Sequence, residues 1–279
     1  MKESLSLRFL YGTVPGRSIL KVLTRPAISR LGGFLLSTPL SACFVPGYIR
    51  KHQIDMTGVI TPEGGFHSFN DFFTRKREIG SVPDAPLVSP CDGFLTALPI
   101  GEDTVFTIKN SRYRLEQLLG NRKLAERYRG GTALILRLTP NHYHRYTFAA
   151  DGKIAGSRKI PGVLHCVRPI ALAEYPVFTQ NAREYTVIRS EQMGPVVQME
   201  IGALMVGRIE NRPAPRGSRV RRGDEKGNFA FGGSTIMVLI TKEALSGKRI
   251  LWNTDTKEEQ DVRMLQPLAG SAQTEGRAV

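Results

Sequence analysis

The pattern of apolar and polar positions divides the chain into two textures. Near the N-terminus the period is helical. Arg17, Lys21 and Arg25 fall on one face, Ile19, Leu20, Val22 and Leu23 on the other, and Pro26 ends the segment. Residues 31–49 carry no charge and approach the length of a membrane span, but Gly32-Gly33, Pro39 and Pro46 argue against one straight helix. An interfacial or hairpin-like element is predicted there. Phe69, Phe72 and Phe73 then recur at helical spacing, with Ser68 or Asn70 as the cap. Pro83 and Pro86 mark a linker.

From Leu87 the texture changes to short strands and turns. Leu87 and Val88 lead into an Asp92-Gly93 turn. Thr132–Leu138 and Val196–Ile201 alternate as strands do, and Gly202 and Gly207 suggest bulges or corners. The apolar run Ile236–Ile240 reads as a buried strand, entered through Gly232-Gly233-Ser234-Thr235. Helical patterns are limited to Leu115–Tyr128 and a stretch after Thr241. The predicted fold is α+β: a helical, membrane-associated region over residues 1–80, then a mostly antiparallel, barrel- or sandwich-like β catalytic domain over 81–279.

Composition sharpens this picture in two places. Three widely spaced cysteines (Cys43, Cys91, Cys166) fit no metal-ligand spacing and are expected to be free thiols, with no metal bound. The net charge of +14 admits either nucleic acid or an anionic membrane as partner. No helix-turn-helix, zinc-finger or RNP-type motif is present and aromatics make up only 8%, so nucleic acid is set aside. Eight basic residues against two acidic ones in residues 1–58 favour the membrane, because a basic amphipathic helix lies readily in a lipid interface. Leu40-Ser41-Ala42-Cys43 is similar to a lipoprotein cleavage box, but the charged, proline-interrupted leader before it makes a poor signal peptide.

The candidate chemistry centres on Ser234. A serine on a tight turn at a strand entrance becomes a nucleophile if a base reaches it. Asp92, His144 and Ser234, each at a strand end, could form a relay in which the carboxylate orients the imidazole and the imidazole takes the hydroxyl proton. His142 reads as a solvated loop residue, and His52 and His67 as structural.

Five stretches extend this reading: Phe69–Arg75 (FNDFFTR), Ser89–Gly93 (SPCDG), Tyr143–Arg145 (YHR), Ile160–Pro169 (IPGVLHCVRP) and Gly232–Thr235 (GGST). In this order they resemble the phosphatidylserine decarboxylase proenzymes, and the resemblance covers most of residues 10–240. It implies that Asp92 and His144 carry the relay and that Ser234 is both nucleophile and cofactor precursor. Ser234 would attack the carbonyl of Gly233, the backbone would shift to an ester, and elimination would leave chains 1–233 and 234–279. The new N-terminal residue would become a covalent pyruvoyl group, whose ketone forms a Schiff base with the substrate amine and accepts electrons from the breaking C–C bond. The implied substrate is phosphatidylserine in an anionic membrane, converted to phosphatidylethanolamine and CO₂ at the cytoplasmic face of the inner membrane by a peripheral enzyme. The two cleaved chains would remain a heterodimer, and a homodimer is also allowed.

One departure matters. Many members carry a second histidine where this chain has Thr147, so either His144 serves both cleavage and decarboxylation or His165 supplies the second imidazole. For His165 a structural role has equal standing. Two other functions stay open: a pyruvoyl decarboxylase of a soluble amino acid, and a catalytically inactive membrane-binding β module.

Overall fold

The computed structural model describes residues 5–108, 111–204, 208–230, 234–254 and 258–272. Gly207 and the Gly232-Gly233 pair, with the expected scissile bond, lie outside the described residues.

The N-terminal region is helical, as its periodicity predicts. Thr13 caps the helix Val14–Leu23 by accepting a hydrogen bond from the Gly16 amide, and Pro26 opens the next helix, Pro26–Leu36. Gly32 and Gly33 lie inside that second helix rather than breaking it. The break comes at Pro39, which starts a 3₁₀ segment, Pro39–Phe44, followed by the helix Val45–His52. Among the described residues no single helix is long and apolar enough to cross a membrane. The pair Pro26–Leu36 and Pro39–His52 together has the length and composition, but is bent by 83°. Phe34, Leu35, Leu40 and Phe44 on this bent element are exposed. Its inner side is tied down: Tyr48 packs edge-on against Phe69 at 4.8 Å, and the Ser41 hydroxyl accepts from the Phe69 amide. Ser68 rather than Asn70 caps the short helix Phe69–Phe73, which buries Phe69, Phe72 and Phe73.

The β domain is built on an eight-stranded antiparallel sheet in the order Arg219–Val220, Gly152–Ile160, Arg183–Ser190, Gly194–Ile201, Ser234–Ile240, Thr132–Leu138, Gly93–Pro99 and Gln260–Val262. All seven residues of Thr132–Leu138 and of Ser234–Ile240 are buried, because both faces of the sheet are covered. Ile135, Met199 and Met237 point into a core shared with the short helices and Tyr113, whereas Leu136, Val196 and Ile236 point into a second core with Tyr146, Phe229 and Leu268. The second core lies against two three-stranded sheets, so the arrangement is sandwich-like on that side. The outermost strands do not pair with each other among the described residues, so the sheet is open and not a barrel.

Two further expectations are corrected. Leu115–Tyr128 forms two helices, Leu115–Leu119 and Arg122–Glu126, because Gly120 takes a left-handed conformation (φ 58°) that ends the first. After Thr241 only the 3₁₀ turn Glu243–Leu245 forms. Helices Pro169–Glu174 and Val177–Gln180, too short for a periodicity signal, are additional.

Candidate active site

The register of the large sheet places the candidate residues at one end. Ser234 pairs with Leu138 and Thr235 with Arg137, and Arg137 pairs in turn with Phe94. Ser234 therefore lies in the same row as the Asp92-Gly93 turn, two strands away, or about 10 Å at the usual strand spacing. His144 reaches this end from the opposite layer. Its carbonyl accepts a hydrogen bond from the Phe229 amide, and Phe229 ends the strand that leads toward Ser234.

Ser234 is fully buried, and its Oγ has no hydrogen-bond partner among the described residues. An unsatisfied buried hydroxyl costs about 1–3 kcal/mol. Strand pairing holds its backbone while its side chain stays uncommitted. Thr235 Oγ1 is in the same condition.

The ring of His144 is fully buried against Phe73, with centroids 4.0 Å apart. Its Nδ1 lies 2.9 Å from the His142 carbonyl oxygen. A carbonyl only accepts, so Nδ1 carries the proton, and in the neutral imidazole the basic nitrogen is Nε2. The orientation expected from Asp92 is thus provided by backbone.

Asp92 is committed elsewhere. Arg77 grips both carboxylate oxygens, at 2.7 and 2.9 Å, and the Met264 amide donates to Oδ1 at 2.8 Å. Burial alone would raise the Asp92 pKa, but the Arg77 hydrogen bonds and charge outweigh it and hold the carboxylate below its ordinary value of 3.8. The structure brings Asp92 to the same end of the sheet as His144 without a hydrogen bond between them.

His142 is half-buried, not solvated. Its Nδ1 accepts from the Thr139 amide at 3.0 Å, its ring meets Phe94 edge-on at 5.1 Å, and burial lowers its pKa despite the raising effect of Asp92. Thr147, where the family's second histidine would stand, is buried, with its amide donating to Pro90 O at 2.9 Å. His165 stacks on Tyr175 at 4.5 Å, and Asn181 satisfies its backbone on both sides. These contacts tie it to the N-terminal helices, since the next amide, of Cys166, donates to the Tyr11 hydroxyl. His52 lies against Tyr48 and His67 is exposed. The three cysteines are free. No group of three or more metal-ligating side chains occurs among the described residues.

A cavity of about 290 Å³ opens beside this constellation, lined by Arg75, Arg77, Asp92 and His142 among others. Arg75 closes the FNDFFTR stretch, where sequence reading gave it no role, and the only sequence signal for Arg77 is its place in the basic run Arg75-Lys76-Arg77 behind the aromatic helix. A second buried ion pair, Lys226–Glu200 at 2.6 Å, joins the strand Glu225–Phe229, which leads to Ser234, to Gly194–Ile201 of the large sheet, and Asn211 bonds to both partners.

Comparison with known proteins identifies the family. A sequence profile of the family described as phosphatidylserine decarboxylase matches residues 69–270. Phosphatidylserine decarboxylase proenzyme 2 of Clostridium acetobutylicum is 39% identical over 244 residues, covering 86% of this chain and 82% of the relative. The proenzyme of Ruminiclostridium cellulolyticum is 40% identical, covering 85% and 81%. That of Chlamydia trachomatis is 36% identical, covering 89% and 83%.

Proposed function

The chain belongs to the phosphatidylserine decarboxylase family, and from that premise we propose that it removes CO₂ from phosphatidylserine after converting its own Ser234 into a pyruvoyl group. Decarboxylation of phosphatidylserine is the activity; self-processing at Gly233-Ser234 is the route to it. The observation that carries this reading is the buried Ser234 hydroxyl, uncommitted among the described residues at the mouth of a paired strand.

His144, with Nδ1–H fixed on a carbonyl, presents Nε2 as the base for the Ser234 hydroxyl. The Ser234 Oγ adds to the Gly233 carbonyl carbon and the Gly233–Ser234 C–N bond breaks, giving an ester and a free amine. Loss of the Ser234 α-proton then expels the Gly233 carboxylate and leaves a dehydroalanine, which tautomerises and is hydrolysed to the ketone with release of ammonia. A pyruvoyl carbonyl supplies an electron sink for the electrons freed as CO₂ departs. Asp92 stays paired with Arg77 at this end of the sheet, so in this reading the His142 carbonyl, not the carboxylate, orients the imidazole.

The two products would stay together as a heterodimer. Ser234–Ile240 pairs with Gly194–Ile201 on one side and Thr132–Leu138 on the other, so the small chain fills a central place in the sheet. The exposed apolar side chains of the bent helical element and the basic faces near it suit a peripheral site on the anionic cytoplasmic face of the inner membrane.

Intact-mass measurement tests the reading. The purified protein should give residues 1–233 and a 46-residue chain beginning at position 234 that lacks one ammonia, whereas Ser234→Ala should remain a single 279-residue chain. A Ser234→Ala protein that still splits there would refute it.

A further inference from the structure

Arg75 is 5% exposed, and among the described residues neither its Nε nor its Nη1 has a hydrogen-bond partner. It makes no ion pair among the described residues; its guanidinium lies over the Phe72 ring, 5.0 Å from the centroid. An aromatic face offsets only part of the cost of burying a cation, which falls sharply when an anion arrives. Its nearby acid is already taken, because both oxygens of Asp92 are held by Arg77 and one also by the Met264 amide. Arg75 lines the same cavity as Asp92 and His142.

The cavity also meets the membrane-facing part of the chain. Gln53, Asp55 and Thr57, which directly follow the helix Val45–His52, form part of its wall. Asp55 is turned onto the Thr57 amide at 2.9 Å.

We infer that Arg75 is the residue that holds the phosphodiester of the lipid headgroup and so selects a phospholipid over free serine. The inference rests on the substrate assigned under Proposed function. Phosphatidylserine carries two anions, and the chemistry chooses between them. A cation on the carboxylate would stabilise the ground state and lose its partner as neutral CO₂ forms, raising the barrier. A cation on the phosphodiester keeps its partner in substrate, transition state and product, and so contributes uniform binding. Arginine suits this task because its donors are fixed in a plane and its charge persists when buried.

The test uses processed enzyme with two soluble substrates, glycerophosphoserine and O-methylserine. Both keep the amine and carboxylate; only the first has the phosphodiester. Arg75→Gln should raise KM for glycerophosphoserine about 10–100-fold with kcat nearly unchanged, leave O-methylserine unaffected, and be partly rescued by Arg75→Lys. Calorimetric titration of glycerophosphoethanolamine into the unprocessed Ser234→Ala chain, with and without Arg75→Gln, reads the same contact without turnover and serves if Arg75→Gln fails to process. Equal losses on both substrates would assign Arg75 to the carboxylate, and unchanged glycerophosphoethanolamine affinity would remove it from the phosphodiester; either overturns the inference. If the wild-type enzyme releases CO₂ neither from these substrates nor from phosphatidylserine in vesicles, the functional reading fails, and the titration still decides the role of Arg75.

Discussion

Arg77 takes both carboxylate oxygens of Asp92, at 2.7 and 2.9 Å, across 15 positions of sequence. The acid side chain is 5% exposed and the guanidinium 24%. Such a pair is costly to break from one side, because the remaining charge is left in low dielectric.

Arg77→Ala is therefore expected to destabilise the protein by about 2–3 kcal/mol at neutral pH, discounted for the partly exposed guanidinium. The folded pKa of Asp92 lies below its ordinary value of 3.8, so the pair's contribution is complete above that value and is lost as pH falls through the depressed one. The gap between wild type and variant should narrow below about pH 4. Urea unfolding across this range measures it, and a gap independent of pH would contradict the pairing.

His144→Ala should slow both chain cleavage and decarboxylation by about 10²–10⁴, the usual loss for a positioned base. Cleavage followed over hours on gels, with CO₂ release on the processed fraction, reads both. His165→Ala should cleave at the normal rate but lose about 1–2 kcal/mol, because its ring is stacked between elements. A stalled His165→Ala precursor beside a normally cleaving His144→Ala would reverse the two roles.

Lys226 and Glu200 are nearly or fully buried, and their pair joins the strand leading to Ser234 to the large sheet. Burial raises the Glu200 pKa, with Lys226 opposing it. Lys226→Met alone should cost about 3–5 kcal/mol by stranding the carboxylate, whereas Lys226→Met with Glu200→Leu should recover most of that loss. Denaturant midpoints of the two variants decide, and a double variant as unstable as the single would refute the account.

Leu40 and Phe44 are 86% and 61% exposed, so replacing both with glutamate should leave the melting temperature close to wild type. Binding to anionic vesicles should fall about tenfold or more, since two apolar side chains lose their place in the interface. Wild-type binding should also weaken with salt, given a net charge of +6 in residues 1–58. Unaltered co-sedimentation of the double variant would place the membrane contact elsewhere.

Much was legible in local pattern because its causes are local. Helical period, proline placement and a serine cap predict the N-terminal helices and the Phe69–Phe73 turn; β-branched runs predict the strands, and the ordered motifs point to Ser234, His144 and Asp92. Local pattern could not say which strands are neighbours. Ser234 meets Leu138 through a pairing almost a hundred residues apart, and that register alone sets it in a row with the Asp92 turn. Nor could it say what each charge would face. A carboxylate two residues after a proline reads as an orienter for the nearest histidine, yet Arg77 has the charge and the fork to take both of its oxygens, and the imidazole falls to the His142 carbonyl. Arg75 shows the same division: in sequence it is the last residue of the FNDFFTR stretch and the first of three basic residues, and only packing against Phe72, beside an acid already paired, leaves it buried with its Nε and Nη1 unpartnered among the described residues.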